Sequence, residues 1–199
     1  GTGRRGGAAG ARWASDGASA VRAPRAAALG IGVPVQWGEG VDDDWMTLLD
    51  AGRSGDAEGG RGVSLHARTA AQLYDGEADW NAIGELKQAV STIPVFGNGD
   101  IWEAWDALRM MRETGCDGVV VGRGCLGRPW LFGDLAAVFA GNQPSNPPNF
   151  GRVMETMREH ARLLCEWTGT RIGIRSFRKH ATWYTKGFPS STKMRDKLI

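Results

Sequence analysis

The chain has 199 residues, 42% of them apolar and 23% charged, with a net charge of +2. No run reaches the ~18 apolar residues of a transmembrane helix, and no apolar segment follows the N-terminal arginines as in a signal peptide, so no membrane partner is expected. Three cysteines, Cys116, Cys125 and Cys165, have no metal-ligand spacing and make no disulfide framework, which points to a reducing, cytoplasmic setting. The small net charge hides an uneven distribution: +4 over residues 1–30, −9 over 31–149 and +7 over 150–199. An acidic middle beside a basic tail fits a polyanionic partner docking at one end; a solvated helical face explains the same charges.

Residues 1–30 are mostly Gly, Ala, Arg and Ser, with few large apolar side chains beyond Trp13. Such a segment buries too little to offset its ordering entropy and is expected to be poorly structured. A strand is predicted within 30–37, then a helix through Leu48 and Leu49 after the acidic start at 42–44, although 52–62 is glycine-rich for a helix. Three short runs rich in β-branched residues follow: VSLHAR at 63–68, IPVFGNGD at 93–100 and GVVVGRG at 118–124. Helical patterns separate them, which predicts a parallel α/β sheet. Asp79 is expected to cap one helix, with Ile83, Leu86 and Val90 on its inner face. Asp100 is expected to cap the next, with Ile101, Trp105, Leu108 and Met111 as its buried stripe and Gly115 as its stop. The segment NQPSNPPN at 142–149 reads as a linker and domain boundary. It separates a barrel-type domain over 31–141 from a helical domain over 150–199. One helix of the latter is predicted to turn Phe150, Val153, Met157, Ala161 and Leu164 inward. A last helix does the same with Ile174, Phe177, Ala181 and Tyr184, ending near Gly187 and Pro189.

In parallel α/β folds the chemistry sits at the C-terminal ends of the strands. Here those ends carry His66, Arg68, Asn98, Asp100 and Arg123 among glycines, which suits a phosphate-bearing cofactor. Gly99 lets a ligand approach the backbone closely, and a helix start beside it offers free N–H groups to an anion; a plain turn with a helix cap explains the same residues. Gly122, Arg123 and Gly124 between strand and helix form a phosphate cradle with a charge-assisted donor, resembling the phosphate site after the last two strands of a TIM barrel. A salt-bridging role is the alternative for Arg123. His160 and His180 read as surface or packing residues. On the last helix Arg171, Arg175, Arg178 and Lys179, with Lys186 beyond, recur at roughly helical spacing. With Trp183 and Tyr184 interleaved, they suit phosphate contacts and base stacking on RNA; an exposed amphipathic helix is the alternative.

Taken together, LHART, ADW, PVFGNGDI, TGCDGVVVGRG, LGRPWLF and RKHATWY resemble the bacterial B-type branch of the flavin-dependent tRNA-dihydrouridine synthases. The resemblance runs from Val63 to about Lys197. It implies the C-terminal half of an FMN-binding TIM barrel followed by a small helical domain that grips tRNA, and NADPH-dependent reduction of uridine. The resemblance places His66, Arg68, Asn98, Gly99 and Asp100 around FMN, puts Gly122 and Arg123 on its phosphate, and gives Arg171, Arg175, Arg178, Lys179 and Lys186 to tRNA. The family's proton-donating cysteine is expected just ahead of the basic, glycine-rich stretch at 3–9, upstream of Gly1, and the family's flavin-contacting lysine has no counterpart within 33–40. The expected state is therefore an incomplete, monomeric chain without a catalytic residue of its own, unstable by itself and inactive as a reductase. Two other functions remain open on the residues alone: a TIM-barrel lyase or isomerase for a phosphorylated substrate, and a non-catalytic RNA-binding remnant.

Overall fold

The computed structural model describes residues 35–189 except 43, 45, 58, 59 and 74; the expectations for 1–30 lie outside the described residues. Four strands, β1 (Val35–Gly38), β2 (Val63–His66), β3 (Val95–Asn98) and β4 (Gly118–Val120), form one parallel sheet in the order β1-β2-β3-β4. Helices α1 (Leu48–Ala57), α2 (Trp80–Ala89) and α3 (Ala104–Thr114) connect them. Sequential order with no reversal is the pattern of a barrel segment, since same-handed crossovers then stack every helix on one face. A doubly wound sheet reverses order at a switch point. The expected α/β class and barrel-type sheet are thus present.

Strand alternation divides the sheet cleanly. Val63, Leu65 and Val95 point to the helices and are fully buried with Ile83, Leu86 and Met110. Glycines let the layers close. A Cβ on Gly52 would stand 2.3 Å from Leu86 Cδ1, and one on Gly97 would stand 2.5 Å from Met110 Sδ. Close approach to α2 therefore explains one glycine of the run that looked unfavourable for a helix. On the other face the register aligns Gln36, Ser64, Phe96 and Gly118 in one row and Gly38, His66, Asn98 and Val120 in the next. This face is the more polar one.

Asp79 caps α2, its side chain accepting from Asn81 N, and Gly115 ends α3 in the left-handed conformation at φ 73°, both as predicted. The start of α3 differs. Its N-cap is Glu103, and the Asp106 carboxylate accepts from Trp102 N at 3.0 Å and Glu103 N at 2.8 Å. Asp100 is occupied elsewhere, so the helix begins later and buries Ala104, Ala107 and Met110. Of the predicted stripe, Ile101 is buried but Trp105 is 46% exposed.

A second compact unit begins at Arg123, ahead of the 142–149 segment. It holds a 3-10 turn (Arg123–Cys125), α4 (Leu131–Phe139), α5 (Phe150–Thr168) and α6 (Thr170–Tyr184). Trp130 packs on the α5–α6 core of Val153, Met157, Phe177, Ala181 and Tyr184, which ties the residues before α4 to the helices after the linker. Ile174 is half-exposed where an inward position was predicted. Gly173 takes that place, since a Cβ there would meet Cys165 Cα at 2.6 Å. Phe150 lies at the rim against Phe188, ring centroids 4.9 Å apart.

Candidate functional site

The C-terminal edge of the sheet gathers around Asn98. Its Nδ2 donates to Val120 O on β4 at 2.6 Å. Its Oδ1 lies 2.6 Å from His66 Nδ1 on β2 and 3.5 Å from Gln36 Nε2 on β1. One buried amide therefore touches all three other strands. Because an amide oxygen only accepts, His66 must carry its proton on Nδ1, which leaves Nε2 as the ring atom available to a ligand. Gln36 was not singled out in the sequence. Alternation places it on the Ser64–His66 face, and that parity was the available signal. The buried Ser64 hydroxyl on the same face has no hydrogen-bond partner among the described residues.

Arg68 and Asp100 find each other. Arg68 Nη2 donates to Asp100 Oδ1 at 2.9 Å and Oδ2 at 2.8 Å, and to Gly76 O at 2.9 Å. Asp100 Oδ2 also accepts from Ala78 N at 2.7 Å, and Trp80 Nε1 donates to Gly99 O at 3.1 Å. The pair thus straps the 76–80 loop to the end of β3. Gly99 makes this possible: its φ is 139°, and a Cβ would lie 2.6 Å from Ala78 Cβ. Asp100 itself sits at φ 52°, a left-handed conformation that aspartate tolerates better than most residues.

Gly122 closes this edge; a Cβ on it would approach Asn98 Nδ2 at 3.9 Å. Arg123 follows by one peptide bond and opens the 3-10 turn of the second unit. In that unit Arg171, Arg175, Arg178, Lys179 and Lys186 are all exposed. None forms an ion pair among the described residues, whereas on α5 Arg152 and Arg162 pair with Glu155, Glu159 and Glu166. Arg175, Ser176, Arg178, Lys179 and Thr182 line an open groove. His160 and His180 are packing residues, their rings 4.7 Å apart, and Tyr184 lies 3.2 Å from His160 Nδ1. Burial holds both histidines below their ordinary pKa. Tyr184, expected as a stacking residue, is buried in the helix-pair core.

The dihydrouridine synthase family model matches residues 3–198. This chain belongs to the dihydrouridine synthase family. It is 54% identical over 181 residues to a probable tRNA-dihydrouridine synthase of Mycobacterium leprae, covering 91% of this chain and 47% of that protein. A probable tRNA-dihydrouridine synthase 1 of Synechocystis is 36% identical, over 87% of this chain and 48% of its own length. The tRNA-dihydrouridine synthase B of Xanthomonas axonopodis is 39% identical over 67% of this chain and 40% of its own length. The chain spans about half the length of the curated relatives it matches. As a family member it is a barrel-type α/β protein with an added helical part, related to oxidoreductases that modify tRNA.

Proposed function

We propose that this chain carries the FMN-binding edge and a tRNA-binding surface of a tRNA-dihydrouridine synthase, which reduces uridine in tRNA with NADPH as reductant. The Asn98 amide carries the reading, because it fixes His66 and joins the strand ends into one polar edge. FMN, when bound, supplies the redox chemistry of the reduction. The donor set suits it: His66 Nε2 is available to a ring atom, Gly99 and Gly122 keep the backbone bare of side chains, and Arg123 supplies fixed positive charge for a phosphate. Arg68 and Asp100 act here as positioning residues, since each is taken up by the other.

Neither Cys116 nor Cys165 stands at this edge to serve as the cysteine acid that the resemblance implies. Cys116 precedes β4, at the opposite end of the sheet from Asn98, and Cys165 packs against Gly173 on α6. The chain is expected to bind FMN. Titration of the purified 199-residue chain with FMN, followed by quenching of flavin fluorescence, tests this. Saturable binding that weakens about tenfold in Asn98→Ala supports the reading, that factor being the loss of one well-placed hydrogen bond. A folded chain that leaves FMN fluorescence unchanged sinks it.

A further inference from the structure

Helices α5 and α6 form a tight hairpin that turns at Gly169. Val153, Met157 and Leu164 face α6, and Trp167 falls next on the same helical face. At that level α5 has one residue left before Gly169 turns the chain, at φ 82°, into α6. Trp167 is 87% exposed, the most exposed large apolar side chain among the described residues.

Its surroundings are cationic. A second open groove is lined by Thr168, Gly169, Thr170, Arg171, Ile172 and Arg175, starting at the residue after Trp167. Along α6, Arg171, Arg175 and Arg178 recur at helical spacing on the side opposite the buried Gly173, Phe177 and Ala181. An exposed indole on a hairpin whose second helix carries guanidinium groups with no ion pair among the described residues is a combination that binds unstacked bases, with the ring taking the base and the cations taking the phosphates. Charge complementarity argues against an apolar protein partner, which would leave those cations without counter-charge.

We infer that Trp167, at the tip of the α5–α6 hairpin, is a stacking platform for an unpaired base of the RNA substrate. This rests on the tRNA reading above and adds a residue and a mode of contact to it. Stacking and phosphate binding separate by salt. A cation on a phosphate sets the slope of log K against log salt, whereas a stacking residue changes affinity at constant slope.

The test is tRNA binding by the full chain at several salt concentrations, for the parent and for Trp167→Ala, Trp167→Leu and Trp167→Phe. The expected result is about tenfold weaker binding in the Ala and Leu variants at unchanged slope, with affinity recovered in the Phe variant. Because Trp167 is exposed, all three should melt like the parent. Parent-like binding by the Ala variant, or equal rescue by Leu and Phe, overturns the stacking assignment while tRNA binding stands. A folded parent chain that does not bind tRNA overturns both.

Discussion

Arg68 and Asp100 are buried unequally, with side-chain exposures of 1% and 21%. That difference decides which partner matters more. Removing the carboxylate charge strands a guanidinium that water cannot reach, whereas removing the guanidinium leaves a carboxylate that water can partly solvate. Arg68 Nε and Nη1 already lack partners, so the arginine has little left to fall back on. Asp100→Asn, which keeps an acceptor for Ala78 N and tolerates the left-handed backbone, is expected to cost about 3 kcal/mol. Arg68→Met should cost less, about 1–2 kcal/mol, mainly for Gly76 O losing its donor. Urea midpoints at constant m-value check this; an Arg68→Met loss equal to or larger than that of Asp100→Asn would refute it. At this scale the sequence pointed to the right residues, in part with the wrong partners. Asp100 was legible as a polar residue after a strand, but its binding to Arg68, 32 positions away, has no local signature.

The helices show what periodicity can and cannot carry. The inner face of α2 was legible because its spacing and its Asp79 cap agree. The start of α3 was not, because a tertiary ion pair takes Asp100 and the cap falls to Glu103 with Asp106. Gly173 is a packing device of the same non-local kind: a Cβ there would sit 2.6 Å from Cys165 Cα, while one on Gly133 in α4 meets nothing within 4 Å. Both substitutions to alanine gain up to ~1 kcal/mol of helix propensity. Gly173→Ala must also separate two backbones, costing about 1–3 kcal/mol, so its melting temperature should fall while that of Gly133→Ala rises. The helix pair also carries a pH dependence. Desolvation lowers the pKa of His160, and desolvation with the nearby His160 and Lys179 lowers that of His180. A depressed folded pKa means stability that is complete above the unfolded value of about 6.5 and is lost as pH falls through the folded value. The melting temperature should drop between pH 7.5 and pH 5, and the drop should shrink in a His160→Gln/His180→Gln double variant. An unchanged drop would assign the effect to other groups. Asp117 gives the acidic counterpart: its hydrogen bond from Lys87 Nζ at 2.7 Å, helped by Val95 N, lowers its pKa, so its contribution is present above about pH 4 and lost below.

For the whole molecule, charge separates along the chain, and composition alone made this visible. Residues 31–149 carry −9 and residues 150–199 carry +7, so a polyanion is repelled by the strand-rich part and drawn to the last two helices. The sequence could not show which cations are available, because that depends on ion pairing. In the structure Arg152 and Arg162 of α5 are neutralised by their own glutamates at i,i+3 and i,i+4 spacing, while α6 between Thr170 and Tyr184 has no acidic residue at all. Binding should therefore run through α6, and removing one phosphate-binding cation should lower the salt slope by about 0.7–0.9. Arg175→Gln is expected to reduce the magnitude of that slope by about one and to weaken binding to every RNA alike, since phosphate binding carries no sequence information. Arg162→Gln, whose guanidinium is already held by Glu159 and Glu166, should leave the slope unchanged. Filter-binding isotherms over a range of salt concentrations distinguish the two variants, and a slope that responds equally to both would place the RNA elsewhere on the chain.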